Sequence, residues 1–186
     1  MEKSKVFLIV GLGNPGREYV NTPHNVGRLV ADSLVEKYEQ NLKKMLAVQS
    51  KISKFSLNDQ AIILLLPETF MNKSGLAVKK ALQYWKIKVA NLLVVQDDSD
   101  MPIGRIKLVN DQSAGGHRGI ESIIQALGHQ KFTRLKIGIR PAHLPQGGEN
   151  HVKAEQFILR PMSLDILDQI AKPAVKEIEN WLNMQL

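Results

Sequence analysis

Cysteine is absent from the 186 residues. That excludes a cysteine nucleophile, a disulfide framework and any thiolate metal site. Aromatic residues make up only 5% of the chain, which argues against a single-strand nucleic-acid binder that stacks bases on aromatic rings. The longest unbroken apolar run extends from Ala61 to Leu66, far short of the roughly 20 residues of a membrane-spanning helix. The N-terminal stretch starts basic, but its short apolar run is broken at once by Gly11, Gly13 and Pro15, with no small-residue cleavage site. An intracellular, cytoplasmic protein without a membrane partner is expected. Acidic residues are in deficit, 18 Asp+Glu against 25 Lys+Arg, for a formal net charge of +7. Such a balance fits a polyanionic partner, nucleic acid before a membrane surface, and equally a merely basic soluble protein.

What is present is ordinary for a globular chain, with 44% hydrophobic and 23% charged residues. The length is one domain's worth, enough to bury roughly 70% of the unfolded surface without a staple. No internal repeat, low-complexity tract or linker divides residues 1–186. Val6 to Leu12 is a continuous apolar run and reads as a buried strand. Thr22-Pro23 offers an N-cap with proline at the first helical position, opening a helix to about Glu39. Residues 47–55 and 61–66 read as two strands joined by a turn at Asn58-Asp59. A helix is expected from Asn72 to Trp85, a buried strand from Leu92 to Gln96, and a half-exposed strand from Arg105 to Val109. A helix from His117 to Leu127 and an alternating strand from Arg134 to Ile139 follow. Residues 141–153, rich in Pro, Gly and polar side chains, read as a long loop of the kind that forms lids. The chain ends in an amphipathic helix that Pro173 is expected to kink or split. Strands alternating with helices indicate a single α/β domain. A monomer is expected, because no long apolar face is left without a core to fill.

Gly11-Leu12-Gly13-Asn14-Pro15-Gly16 matches G-x-G-x-x-G after a strand. A dinucleotide site needs the helix to open inside that motif, and here Pro15-Gly16 makes a turn instead. The five histidines form no H-x-x-x-H pair and no metal-spaced cluster, so no metal site is expected. No G-x-S-x-G elbow occurs either. His24 falls in the first turn of its expected helix, where the positive end of the dipole disfavours imidazolium. A neutral ring there accepts a proton near pH 7; a surface histidine beside a cap is the alternative. Asp97-Asp98-Ser99-Asp100 follows a strand. One carboxylate could orient a histidine, or the run could be turn chemistry or a magnesium site. Asn72, between a strand and a helix, can donate and accept or be an ordinary N-cap. The glycine-rich turn Ala114-Gly115-Gly116-His117 lets backbone N–H groups approach a phosphate or oxyanion, or is simply a tight loop.

Together, and in this order, these segments closely resemble the bacterial-type peptidyl-tRNA hydrolase family. The matching pieces are VGLGNPGREYVNTPHNVG (10–27), PETFMNKSG (67–75), QDDSDMPIG (96–104), SAGGHRGIESI (113–123) and RLKIGI (134–139). The resemblance covers essentially the whole chain. It implies a single α/β domain with a twisted, mostly parallel mixed sheet flanked by helices. It also implies an enzyme that cleaves the ester between a peptide and the 3′ ribose of tRNA, recycling tRNA without metal or organic cofactor. By motif position it makes His24 the general base, Asp97 its orienting carboxylate, and Asn14 and Asn72 the amides that hold the peptide backbone and the reacting carbonyl. Tyr19 and Met71 would line the cleft near the ester. His117 would belong to the loop that meets the terminal adenosine, and Lys107 and Lys136 would clamp the tRNA 5′ phosphate. The family's lid corresponds to residues 141–153.

One position departs from that pattern. Arg118 stands where the family usually has Asn. Arginine donates but cannot accept, so it either stabilises the oxyanion directly or turns outward to RNA phosphate. Two other functions compete with hydrolysis: a catalytically silent RNA-binding module on the same fold, and a metal-dependent phosphohydrolase using Asp97, Asp98 and Asp100. His24, Asp97, Asn14 and Asn72 occurring together argue against the silent module.

Overall fold

Successive side chains of β1 (Val6–Gly11) enter opposite cores. Phe7 and Ile9 pack on one side, Leu8 and Val10 on the other. Burial on both faces is why this run is continuously apolar rather than alternating. The structure, a computed structural model, describes residues 5–144 and 152–185. The expected lid, 141–153, therefore lies largely outside the described residues.

β1 is central in a seven-stranded sheet of order β2-β3-β4-β1-β5-β7-β6. It pairs in parallel with β4 (Gln60–Pro67) and β5 (Leu92–Pro102), and β5 pairs in parallel with β7 (Thr133–Arg140). The flanking strands β2 (Lys43–Met45), β3 (Ser50–Leu57) and β6 (Ile106–Asn110) pair antiparallel. Helices α1 (Val26–Lys37) and α4 (Leu164–Asn183) cover one face, with Val30, Leu34, Ile170 and Ile178 in its core. Trp181 of α4 meets Phe7 edge-on at 5.5 Å. Helices α2 (Ser74–Tyr84) and α3 (Arg118–Leu127) cover the other, burying Val78, Ala81, Ile120 and Ile123. The fold is thus an α/β sheet, parallel at its centre and mixed overall, flanked by helices.

Several boundaries differ from the sequence reading. The helix expected to open at Pro23 begins as a 3-10 turn, Pro23–Asn25, and becomes α-helical only at Val26. Thr22 makes no side-chain cap; its hydroxyl donates to the Tyr19 carbonyl. The helix expected from Asn72 likewise starts at Ser74, after a 3-10 turn at Met71–Lys73. β5 does not stop at Gln96 but runs to Pro102, because β7 offers it a partner past Asp97. β7 alternates as expected, with Leu135, Ile137 and Ile139 in one core, but it is almost wholly buried because Arg134 and Arg140 at the alternate positions are covered as well. Pro173 does not split the C-terminal helix, which continues through it; packing of residues on either side, Ile170 and Ala174, compensates the missing backbone bond. β2 has no counterpart among the elements expected from the sequence. The Asn58-Asp59 turn is as expected: both residues adopt positive φ (50° and 61°), the hairpin geometry these residue types tolerate.

Gly27 sets the distance between α1 and the sheet. A Cβ there would lie 2.4 Å from the Val95 carbonyl oxygen and 2.6 Å from the Leu12 nitrogen. The absent side chain lets the turn that carries His24 descend onto the carboxyl ends of β1 and β5.

Candidate active site

In open α/β sheets the crevice beyond the carboxyl ends of neighbouring strands gathers functional groups. Here β1 leads into Asn14 and β5 into Asp97, with the Pro23–Asn25 turn lying across both. Asp97 is 4% exposed, and two histidines reach it. Nδ1 of His24 lies 3.0 Å and 3.1 Å from the two carboxylate oxygens. Nε2 of His117 lies 2.9 Å from Oδ1. The two rings are 5.1 Å apart.

The hydrogen bonds assign the protons. A carboxylate only accepts, so His24 donates from Nδ1 and keeps Nε2 as its basic nitrogen. His117 caps α3: its Nδ1 accepts from the backbone N–H groups of Gly119 (3.1 Å) and Ile120 (3.4 Å). That nitrogen carries no proton, so His117 bonds Asp97 as the neutral Nε2–H tautomer. His24 and His117 therefore differ in kind: one has its second nitrogen available for chemistry, the other spends it on a helix cap.

Burial pushes the His24 imidazolium toward losing its proton, but the charge and hydrogen bond of Asp97 outweigh this, while Arg118 opposes them. The net effect raises His24 above its ordinary 6.5. The helix-dipole expectation of a depressed value is thus overturned, because a carboxylate in contact outweighs a partial charge. Burial pushes the Asp97 acid up, yet its interactions with His117 and then His24, whose ring N–H groups donate to the carboxylate, hold it well below the usual carboxylate range.

Asn14 is almost fully buried and held from three directions. Its Oδ1 accepts the Met71 backbone N–H at 2.8 Å. Its own N–H donates to Asn25 Oδ1 at 2.8 Å, and Asn25 Nδ2 returns a bond to the Asn14 carbonyl at 2.9 Å. With Oδ1 engaged, the amide NH₂ is what Asn14 can offer a substrate carbonyl. Met71 is itself buried in the α2–α3 core; its backbone, rather than an exposed side chain, ties it to Asn14. Asn72 is exposed on the 3-10 turn and caps neither that turn, which Phe70 precedes, nor α2, which Lys73 precedes. Tyr19 is half-buried, and its carbonyl accepts both the N–H and the hydroxyl of Thr22.

Arg118 turns outward. Its side chain is exposed and faces Glu155 at 3.6 Å, one of the weak surface pairs. Lys107 and Lys136 stand directly opposite each other on β6 and β7. Lys107 is exposed; Lys136 is paired with Asp98. Asp98 also accepts the Asp100 N–H, so part of the expected turn chemistry is realised inside the strand. Asp97, Asp98 and Asp100 diverge to different partners and do not assemble a carboxylate metal site. A group with metal-ligand chemistry does form from residues distant in sequence: the ligating atoms of His24, Asp97 and His117 lie within 4.8 Å of one another. Spacing along the chain could not reveal it, since three separate elements contribute. Those atoms are presently bonded to each other.

A family model described as peptidyl-tRNA hydrolase matches residues 8–186. The chain belongs to the peptidyl-tRNA hydrolase family. Members of this family are hydrolases. A peptidyl-tRNA hydrolase of Levilactobacillus brevis is 41% identical over 180 residues, spanning 94% of this chain and 92% of that one. One from Prochlorococcus marinus is 38% identical over 179 residues, spanning 95% and 88%. The crystal structure of the Acinetobacter baumannii peptidyl-tRNA hydrolase superposes with a TM-score of 0.82 at 29% identity, covering all of this chain and 94% of that one. Among the described residues, no helix is long and apolar enough to cross a membrane.

Sequence reasoning missed three contributors to this arrangement. Asn25, the residue after His24, carries a signal of its own, since an Asn beside a tight turn is a natural backbone clamp. Arg134, buried in β7, donates to the carbonyls of Ser113 (3.1 Å) and Gln112 (2.7 Å) and so fixes the loop before His117. The Ile158 carbonyl accepts the His24 backbone N–H at 3.0 Å; no side-chain motif marks such a contact.

Proposed function

We propose that this chain hydrolyses the ester joining a peptide to the 3′ ribose of tRNA, with His24 as general base. The observation that carries the reading is the His24–Asp97 pair, which fixes the imidazole orientation and leaves Nε2 as the basic nitrogen. In the proposed reaction, neutral His24 takes a proton from water as the water oxygen attacks the ester carbonyl. The amide NH₂ groups of Asn14 and Asn72 donate to the oxygen on which negative charge develops. The intermediate collapses by breaking the bond to the ribose 3′ oxygen, which receives the proton from His24. The peptide acid so formed loses its remaining proton to solvent, and a peptide carboxylate and free tRNA leave. Asp97 stays ionised and stabilises the transient imidazolium.

The magnitudes fit an ester. A positioned base supplies typically 10²–10⁴-fold, and one oxyanion donor on the order of 10²–10³. Exposed Lys107, with Lys136 opposite, supports phosphate contact on the β6–β7 edge. Tyr19 and Met71 then act by shaping the cleft around Asn14 rather than by touching the reacting atoms. The test is cleavage of an N-acetylated aminoacyl-tRNA beside the same tRNA with a free amino group, in EDTA. Rapid loss of only the blocked substrate is expected. Binding without cleavage would favour the silent RNA-binding module, and loss of activity in EDTA would favour the metal-dependent reading.

A further inference from the structure

Arg140 is the last residue of β7 and only 2% exposed. A buried guanidinium is retained only where its donors are satisfied, and the distribution of those bonds is informative. Nε donates to the Ser99 carbonyl at 2.7 Å. One terminal nitrogen donates to the Val152 carbonyl at 3.3 Å and lies 3.8 Å from Asp100 Oδ1. The guanidinium carbon sits 5.3 Å from the ring centre of Phe157, which is 6% exposed.

These contacts fall on two segments, and each bears on the His24–Asp97 pair. Ser99 and Asp100 follow Asp97 on β5, where the pairing with β7 slips out of register between Asp98 and Pro102. Regular ladder bonds therefore do not hold this stretch, and Arg140 supplies a substitute. The other segment, from Val152 through Phe157, leads to Ile158, whose carbonyl accepts the His24 backbone N–H at 3.0 Å. Farther along the same segment, the Met162 N–H donates to the Asn21 carbonyl at 2.8 Å. The strap from 157 to 162 is thus bonded twice to the turn that carries His24.

We infer that Arg140 is a positioning residue for the hydrolytic reaction: one buried guanidinium ties the strand end bearing Asp97 to the strap that holds the backbone of His24. This rests on His24 being the base. Lysine could retain the charge and one carbonyl, but not the planar fork that reaches both segments while stacking on Phe157. Misplacing a catalytic group by about 1 Å costs up to about 10²-fold in rate, so loosening this tie should act on kcat.

The experiment is a double-mutant cycle of R140K and H24N on the full chain, with folding followed by melting curves. R140K is expected to lower kcat about tenfold with KM changed less than about twofold, and to slow the H24N enzyme less than about twofold further. The downfield Nδ1–H proton resonance of His24, a readout independent of turnover, should shift or broaden in R140K. Phe157→Leu, which keeps the Arg140 hydrogen bonds, should lower kcat in the same direction by less. The inference is overturned if folded R140K keeps full kcat and an unchanged His24 resonance, or if it slows H24N by the same factor as it slows the wild type. Near-normal turnover by H24N would instead overturn the assignment of the base itself.

Discussion

A single carboxylate decides the chemistry of both histidines. Asp97 holds His24 in one orientation and raises its affinity for a proton, and the sign of that effect has a measurable consequence. The acid limb of kcat/KM should titrate above 6.5 in the wild type, because in the proposed reaction His24 must lose its proton to act as base. In D97N the raising partner is gone and burial remains, so the limb should move below 6.5 while kcat falls on the order of 10²–10⁴-fold through lost orientation. The same groups contribute to stability in opposite windows. The raised His24 contributes below its unfolded value and loses that contribution as pH rises through the folded value. The depressed Asp97 contributes above its unfolded value, and the contribution disappears as pH falls through the folded one. A second prediction concerns Asn25, whose side chain makes two bonds to the Asn14 backbone. Asn25→Ala should lower kcat by about tenfold, part of the value of an oxyanion donor, and cost about 1–3 kcal/mol by leaving buried groups unpaired; initial rates and chemical denaturation check both. The resemblance picks out His24 and Asp97 because each stands in a distinctive local run, whereas the residues read by themselves leave a surface histidine and turn chemistry open. Asn25 and the outward turn of Arg118 toward Glu155 were not legible, because the partners that give them meaning lie on other elements.

The elements were legible where burial alone determines them. β1 and β4 read directly from their apolar runs, and the Asn58-Asp59 hairpin from its turn residues. The errors cluster where tertiary partners override local signals. β5 continues through four polar residues, Asp97 to Asp100, because β7 is there to pair with it, and α4 continues through Pro173 because both sides are packed. The α2–α3 crossing gives a prediction at this scale. A Cβ on Gly75 would lie 2.0 Å from the Ser122 carbonyl oxygen, which cannot move independently of α3. Gly75→Ala should therefore force the helices apart, at the roughly 1–3 kcal/mol typical of overpacking. Because α2 follows the turn of Met71 and Asn72, and α3 is capped by His117, the melting temperature and kcat should fall together. A stable, fully active Gly75→Ala would show that this crossing does not set the site's geometry.

Across the whole molecule the net charge of +7 gains a direction from the fold. Lys107 and Lys136 face each other on the β6–β7 edge, next to the strand that carries Asp97. Phosphate contacts release counterions, so KM for a tRNA ester should rise with salt along a linear log–log slope. Lys107→Ala should raise KM at low salt and flatten that slope by about one unit, leaving kcat unchanged. Lys136→Ala should act less, since its charge is already shared with Asp98. Composition alone could not distinguish such a surface from general basicity; the proposed phosphate contact rests on the two lysines facing each other across the strand pair. The proposed mechanism makes His24 the group that moves the proton. The direct measurement is single-turnover cleavage of N-acetylated aminoacyl-tRNA by wild type and H24N at saturating enzyme, with tRNA affinity measured in parallel. Hydrolysis through His24 predicts a rate loss of at least about 10²-fold with affinity essentially unchanged. A folded H24N enzyme cleaving at near wild-type rate would contradict it.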